Sequence, residues 1–271
     1  MDDVLALVEQ WPVDTVAVGI TDADHTLGTH GPAEQVFQWA SVTKVLTAWA
    51  TLVAVQDGHL HLDEPAGPEG ATVRHLLAHA SGLPPEPGGP SSAVERRRIY
   101  SNHGFEVLAE LVADRVGEPF TAFLDAEVLT PLGMDATHLD GSPAHAARGP
   151  LVDLLALGRE LLAPTLLDEP LATDVATVQF PGLSGVLPGY GRQDDNTWGL
   201  GVEIRGEKTP HWTGPSQPAA TFGHFGQAGS FLWVDRDAGV AAGCLGDRDF
   251  DGWAVEAWRP FNERLWRTAT G

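Results

Sequence analysis

The order in which strand-like and helix-like segments follow one another constrains this chain more than any other feature. After a short amphipathic helix at "MDDVLALVEQW", Val16, Val18 and Ile20 alternate as a half-buried strand would, and "DTVAVGITDADHTLGTHG" reads as two strands around a turn at Asp22 to His25. From residue 41 the apolar spacing turns helical. It does so over 41 to 56 with Gly58 as a C-cap, in a short helix at "ATVRHLLAHASGLPP", over 104 to 117, through "EPFTAFLDAEVLTPLGM", and over Leu151 to Leu162. Beyond about residue 177 the texture changes. Gly, Pro and aromatic residues rise, and "TWGLGVEIRG", "GSFLWVDRDAG" and "GVAAGCLGD" predict antiparallel strands before "WAVEAWRPFNERLWRTA" closes the chain as a helix. Strands, helices, strands and a helix imply an α/β (α+β) arrangement in which the first and last strands share one sheet. The expected organisation is a single domain over 1–271. Its sheet subdomain covers about 1–40 and 177–271, with an inserted helical subdomain at about 41–176.

Length and charge narrow the functions open to such a fold. A chain of 271 residues buries a sizeable core without staples. A formal net charge of −21 repels phosphate backbones and anionic lipid, so neither nucleic acid nor a membrane surface is the expected partner. Cys244 is the one cysteine, so it forms no internal disulfide and belongs to no metal-type Cys cluster; its place in "VAAGCLGD" predicts a small buried strand residue. The acidic N-terminus lacks the apolar core of a signal peptide, and Val45 to Val55 falls short of the roughly 20 residues of a membrane span. The expected location is cytoplasmic.

Within this frame "QWASVTKVLTAWATL" stands out. Lysine occurs only at Lys44 and Lys208, against 14 arginines, and Lys44 lies three residues after Ser41 at the start of an apolar segment. Residues i and i+3 of a helix share a face, so the amine can approach the serine oxygen. A serine hydroxyl needs a base to become nucleophilic, and a lysine serves as one only when neutral. Burial and, more weakly, the positive helix end both favour the neutral amine; arginine would stay charged. The helix start also leaves the Ser41 N–H free to donate to an oxyanion. The same residues equally suit a serine cap followed by a surface lysine.

Two further stretches bear on that choice. Tyr100-Ser101-Asn102 precedes a helix, where the phenol can share a proton with Lys44 and the amide can hold Lys44 or a substrate; an asparagine cap is the plainer alternative. His224-Phe225-Gly226 precedes an apolar strand, and a glycine there permits close backbone approach, with the Gln227 N–H as a second oxyanion donor.

Taken in order, "SVTK", "HLLAHASGLP", "YSNHGFEVLAELV", "PLGM", "WGLGVEI" and "GHFGQAGSFLWVD" resemble the penicillin-recognising serine hydrolases. The branch they look most like holds class C β-lactamases, their D-alanyl peptidase relatives and the β-lactamase-like esterases. The resemblance spans most of residues 15 to 245. It implies a β-lactamase-like fold with the site in the crevice between sheet and helical block, and acyl-enzyme chemistry without a metal or organic cofactor. It implies that Ser41 is acylated, that Lys44 is its base partner and that Tyr100 activates the nucleophile or the attacking water. It further implies that Asn102 orients Lys44 or the substrate, that His224 and Gly226 fill the third motif, and that the N–H groups of Ser41 and Gln227 form the oxyanion hole. A histidine where many relatives have Lys-Thr-Gly removes a fixed cation for a substrate carboxylate, which implies a small ester before a D-amino-acid amide or a β-lactam. A β-lactamase, a D-alanyl-D-alanine carboxypeptidase, an acyltransferase and a catalytically silent scaffold are the alternatives.

Other residues read as structural. His75, His79 and Asp153 pack or hydrogen-bond, His59 and His61 lie in a surface segment, and Lys208 with Thr209 forms a surface loop. Trp39, Trp198 and Trp233 lie beside the motifs, suited either to the pocket or to the core.

Overall fold

A computed structural model describes residues 1–271. In chain order its elements are α1 Asp2–Leu5, β1 Val16–Thr21, β2 Thr26–His30, β3 Phe37–Gln38, α2 Thr43–Gln56, α3 Val73–Leu77, α4 Asn102–Val116, α5 Phe120–Leu124, β4 His138–Leu139, β5 Ala147–Gly149, α6 Leu151–Leu162, α7 Glu169–Val175, β6 Gly185–Leu187, β7 Gly191–Gln193, β8 Glu203–Ile204, β9 Phe222–Gly226, β10 Ser230–Asp235, β11 Val240–Gly246 and α8 Gly252–Thr270. The main sheet has the order β2-β1-β11-β10-β9-β8. N- and C-terminal strands therefore share it, joined by the antiparallel β1–β11 pair from Val16↔Gly246 to Thr21↔Ala241.

Side-chain alternation sorts the strands between two cores. Phe231 and Trp233 of β10, with Ala242 and Cys244 of β11, join Trp258, Phe261 and Leu265 of α8 on one face. Leu232 and Val234, with Ala241 and Leu245, join the larger core on the other face. Cys244 is buried on its strand, as its setting predicts. The helix on the second face is α6. It lies close because the sheet offers little bulk beneath it: a Cβ at Gly19 would come within 2.8 Å of Leu155, and one at Gly243 within 2.8 Å of Leu154. Burying each of those leucines contributes roughly 1.5–3 kcal/mol. Thus α6, which chain position groups with the helical block, packs on the sheet.

Helix α2 is the hub of the helical side. Every residue from Thr43 to Ala54 is buried, the mark of a helix enclosed on all faces. It follows β3, which pairs with β5 through Phe37↔Gly149 and Gln38↔Arg148 and so pins the approach to Ser41. No helix is long and apolar enough to cross a membrane.

Four local readings need correction. "EPFTAFLDAEVLTPLGM" is not one helix: α5 ends at Leu124 and a wider π turn spans Asp125–Leu129. In "TWGLGVEIRG" only Glu203–Ile204 is strand. The segment Phe222–Gly226 is itself a strand, since its outer neighbour β8 and inner neighbour β10 both offer ladder partners. The "KTP" segment is a surface turn only in part: Thr209 and Pro210 are exposed, but the Lys208 side chain is fully enclosed beside Glu203. Helix α7, with Asp168 accepting from the Leu171 N–H as its cap, is an element the spacing alone does not reveal.

Candidate active site

Ser41 lies in a 3-10 turn, Ala40–Val42, that runs directly into α2. Its N–H belongs to a first turn, where helices lack internal acceptors. The residue before it is unusual: Ala40 has φ 45°, a left-handed backbone that non-glycine residues seldom adopt. The surroundings hold it there. Ser230 Oγ donates to Trp39 O at 2.7 Å, Thr43 Oγ1 donates to Ala40 O at 2.6 Å, and the Ala147 N–H donates to Thr43 Oγ1 at 3.0 Å. Strain of this kind persists only where neighbours over-determine it.

Gly226, at the end of β9, passes behind the same turn. A Cβ there would lie 2.5 Å from Trp39 O and 3.0 Å from Ser41 N, so only glycine fits. The Gln227 N–H that follows donates to no group of the fold. Two backbone donors, those of Ser41 and Gln227, are thus brought to one corner.

Lys44 is wholly buried. Its Nζ donates to Asn102 Oδ1 at 2.7 Å and to Ala144 O at 2.9 Å. Asn102 opens α4, held by Ser101, whose hydroxyl caps the Gly104 N–H at 3.0 Å. Both partners of Lys44 are neutral. Burial pushes its pKa down to about 7, against a weaker opposing pull from Glu106 and Glu86. The Tyr100 ring lies 4.6 Å from Nζ. Burial drives the Tyr100 phenol upward, while the nearby Ser41 hydroxyl pulls the other way; no hydrogen bond of good geometry reaches the phenol oxygen. The two groups are displaced in opposite directions, the amine toward neutrality and the phenol away from ionisation.

His224 of β9 forms the facing wall. Its Nδ1 lies 2.7 Å from Phe225 O. Because a carbonyl only accepts, the proton sits on Nδ1, and Nε2 is left as a lone pair with no protein partner. Burial, followed by the charge of Lys44, pushes the imidazole down to about 3. The third-motif residue therefore offers a neutral acceptor and no cation.

Ser41, Tyr100, Trp198, His224 and Gln227 line one cleft of about 110 Å³, closed by Leu187 and Pro188 of the β6–β7 hairpin. The structure thus brings all seven candidate residues to this region: Gly226 backs onto the Ser41 turn and Asn102 reaches it through Lys44. Of the three tryptophans only Trp198 lines the cleft; Trp39 and Trp233 are fully buried in the core. His79 is buried beneath the site, accepting from the Ser101 N–H at 3.1 Å. His75 closes a capping box with Thr72, and Asp153 accepts from Thr137 at 2.8 Å, both structural. His59 and His61 are exposed.

Sequence reasoning missed one constellation. Glu203 also lines the cleft, and its carboxylate is buried. It accepts from Lys208 Nζ at 2.7 Å, His211 Nε2 at 2.9 Å and Trp212 Nε1 at 2.5 Å. Burial alone would raise the carboxyl pKa, but His211 and Lys208 outweigh it and hold Glu203 ionised, well below the usual carboxylate range. Lys208 is the second of two lysines, so the rarity that marks Lys44 marks it too.

The family model described as Beta-lactamase matches residues 6–261, and the chain belongs to that family, whose members are serine hydrolases. The crystal structure of a beta-lactamase from Mycobacterium bovis is similar at 46% identity and TM-score 0.97, covering 99% of this chain and 100% of that one. A D-alanyl-D-alanine-carboxypeptidase/endopeptidase, AmpH, from Escherichia coli strain K12 is 27% identical over 152 residues, 42% of this chain; the match spans 40% of that relative's length. A D-stereospecific amidohydrolase from Streptomyces shares the fold, at 19% identity and TM-score 0.73 over 94% of this chain and 96% of that one.

Proposed function

We propose that this member of the Beta-lactamase family opens small esters or amides through an acyl-enzyme on Ser41, with Lys44 as the base. The supporting observation is the pair of acceptors on Lys44. A neutral amine has two N–H bonds, and Asn102 Oδ1 and Ala144 O accept both, which leaves the lone pair free to take a proton. A carboxylate in either place would hold the amine as an ammonium, useless as a base.

In this reading the substrate carbonyl oxygen enters the corner formed by the N–H groups of Ser41 and Gln227. The Ser41 oxygen attacks the carbonyl carbon, and its proton passes to Lys44, directly or through the neutral Tyr100 phenol. The tetrahedral intermediate collapses, the C–O or C–N bond breaks, and the proton held by Lys44 goes to the leaving group. Water then attacks the acyl carbon while Lys44 takes its proton. Expulsion of the Ser41 oxygen, reprotonated by Lys44, releases the acid. Asn102 keeps the amine in place, and His224 Nε2 accepts from a donor on the substrate. Oxyanion donors of this kind contribute about 10²–10³ in rate each.

The neutral His224 favours a substrate that meets that wall with a hydrogen-bond donor. The similarity to the M. bovis beta-lactamase favours a second reading, in which the opened bond belongs to a β-lactam. Intact-protein mass after brief mixing with 4-nitrophenyl acetate or benzylpenicillin, with Ser41→Ala in parallel, separates the readings. A short-lived acetyl adduct on the unaltered protein alone supports the esterase. A penicilloyl adduct with fast turnover supports the β-lactamase, and a durable one a penicillin-binding peptidase. An equal adduct on Ser41→Ala defeats the mechanism, and no adduct with either reagent points to a silent scaffold.

A further inference from the structure

Next to the cleft lies a groove of about 380 Å³ that shares Tyr100 and Pro188 with it. One wall carries Arg97 and Arg98, the other Ser184, Val186 and Arg192, and no aspartate or glutamate lines it. The walls are joined rigidly. The Arg98 N–H donates to Ser184 O at 2.8 Å, and a Cβ on Gly185 would meet the Arg98 backbone oxygen at 2.9 Å. Across the β6–β7 hairpin Val186 pairs with Arg192, which puts both side chains on one face.

The arginines differ in how they are held. Arg98 is buried, and its guanidinium donates only to carbonyls, those of Ala78, Asn196, Gln179 and Phe180. Its charge is oriented but touches no carboxylate. Arg97 is exposed and makes no ion pair. Arg192 has Asp194 at 3.7 Å, with side chains 73% and 101% exposed, so water screens that pair heavily. On a chain of net charge −21, two exposed guanidinium groups, those of Arg97 and Arg192, beside one groove that no carboxylate lines form a local inversion of sign. A groove with low-dielectric walls focuses such a field.

We propose that this groove is an anion subsite: it binds the carboxylate or phosphate end of a substrate whose ester or amide carbon reaches Ser41 through the shared Tyr100–Pro188 edge. This rests on the hydrolase reading for its catalytic half, but the binding half stands by itself. The cation that His224 does not supply is placed here instead, on the wall formed by the 97–100 segment and the hairpin. Exposed Arg97 and Arg192 supply the fork that grips the anion, and buried Arg98, tied to the carbonyls of Ala78, Asn196, Gln179 and Phe180, holds the wall that carries Arg97 in place.

The experiment has two arms. In the first, calorimetry measures binding of sodium glutarate and of methyl phosphate to the Ser41→Ala protein and to the same protein carrying Arg97→Gln and Arg192→Gln. Saturable binding that weakens about ten-fold in the arginine variant is expected, as is a decline with salt, and the tighter anion names the source. No saturable binding of either anion, or equal binding with and without the arginines, overturns the subsite whether or not Ser41 is catalytic. In the second arm, kcat/KM is compared for mono-4-nitrophenyl adipate against 4-nitrophenyl methyl adipate, and for 4-acetoxybenzoate against its methyl ester. Preference for the anionic member of at least one pair, falling about ten-fold in Arg97→Gln/Arg192→Gln, is expected. An unchanged ratio in both pairs overturns the link to the site. Binding that depends on the arginines in a protein that hydrolyses none of the four esters supports the subsite and defeats only the hydrolase reading.

Discussion

Replacing Lys44 by methionine should abolish turnover and remove the pH dependence that this residue gives to stability. Lys44 is fully buried, and its pKa falls from 10.5 in an exposed chain to about 7. At about 1.4 kcal/mol per pH unit, that displacement corresponds to roughly 5 kcal/mol charged against the folded state whenever the ammonium is the reference form. Methionine fills nearly the same volume without a charge. It also leaves Asn102 Oδ1 and Ala144 O without their donor, which costs about 1–3 kcal/mol each. The two contributions largely offset, and the net change at pH 6 runs from a loss of about 1 to a gain of about 3 kcal/mol.

The pH dependence is the sharper quantity. The folded pKa lies below the unfolded one, so between about 7 and 10.5 the unfolded chain binds more protons at this residue, and stability of the natural protein rises with pH across that window. The burdened state is complete below pH 7 and relieved as pH climbs toward 10.5. The stability of Lys44→Met relative to the natural protein should therefore fall by about 2.5 kcal/mol from pH 7 to pH 9. Groups common to both chains cancel in that difference. Urea unfolding at pH 6, 7, 8 and 9, followed by tryptophan fluorescence, measures it. The natural protein's kcat/KM should rise through the same midpoint near 7 and then level. A stability difference flat with pH would show that Lys44 keeps an ordinary pKa, and the proposed base would be lost with it.

Three further substitutions probe the neighbours. Asn102→Asp puts a carboxylate where Oδ1 now lies 2.7 Å from Nζ, so Lys44 should hold its proton longer and the kcat/KM limb should move alkaline by about one pH unit or more; an unmoved limb would separate Lys44 from the rate. Gly226→Ala inserts a Cβ 2.5 Å from Trp39 O and 3.0 Å from Ser41 N, so kcat should drop about 10²–10³-fold, with an overpacking cost of only about 1–3 kcal/mol by urea unfolding; full activity would place the oxyanion corner elsewhere. Glu203→Gln strands the Lys208 ammonium in the interior and should cost about 3–5 kcal/mol, whereas the double variant Glu203→Gln/Lys208→Met should recover much of that loss; equal unfolding midpoints for the two would remove the ion pair from the account.

The sequence makes legible what depends on local periodicity. Alternation finds β1, a short apolar run between turns finds β10, helical spacing finds α2 and α6, and the order of segments places first and last strands in one sheet. It fails where a tertiary partner decides. Phe222–Gly226 becomes a strand because β8 and β10 supply ladders on both sides, although its glycines argue locally for a loop. Helix α6 leaves the helical block because Gly19 and Gly243, far apart in sequence but opposite one another in the β1–β11 pair, open room for Leu155 and Leu154.

The two lysines carry this lesson to the site. Both are buried, and both are conspicuous in a chain that otherwise uses arginine. Burial weakens the hold of each on its proton. What separates them is the charge of the acceptor. Lys208 meets the Glu203 carboxylate, which favours its ammonium and makes it half of a buried ion pair. Lys44 meets an amide oxygen and a carbonyl, which accept its hydrogens without demanding its charge. Those acceptors lie 58 and 100 residues away along the chain, so no spacing rule reports them. A lysine fit to be a base is therefore recognised by the neutrality of its partners, a property that only the folded chain displays.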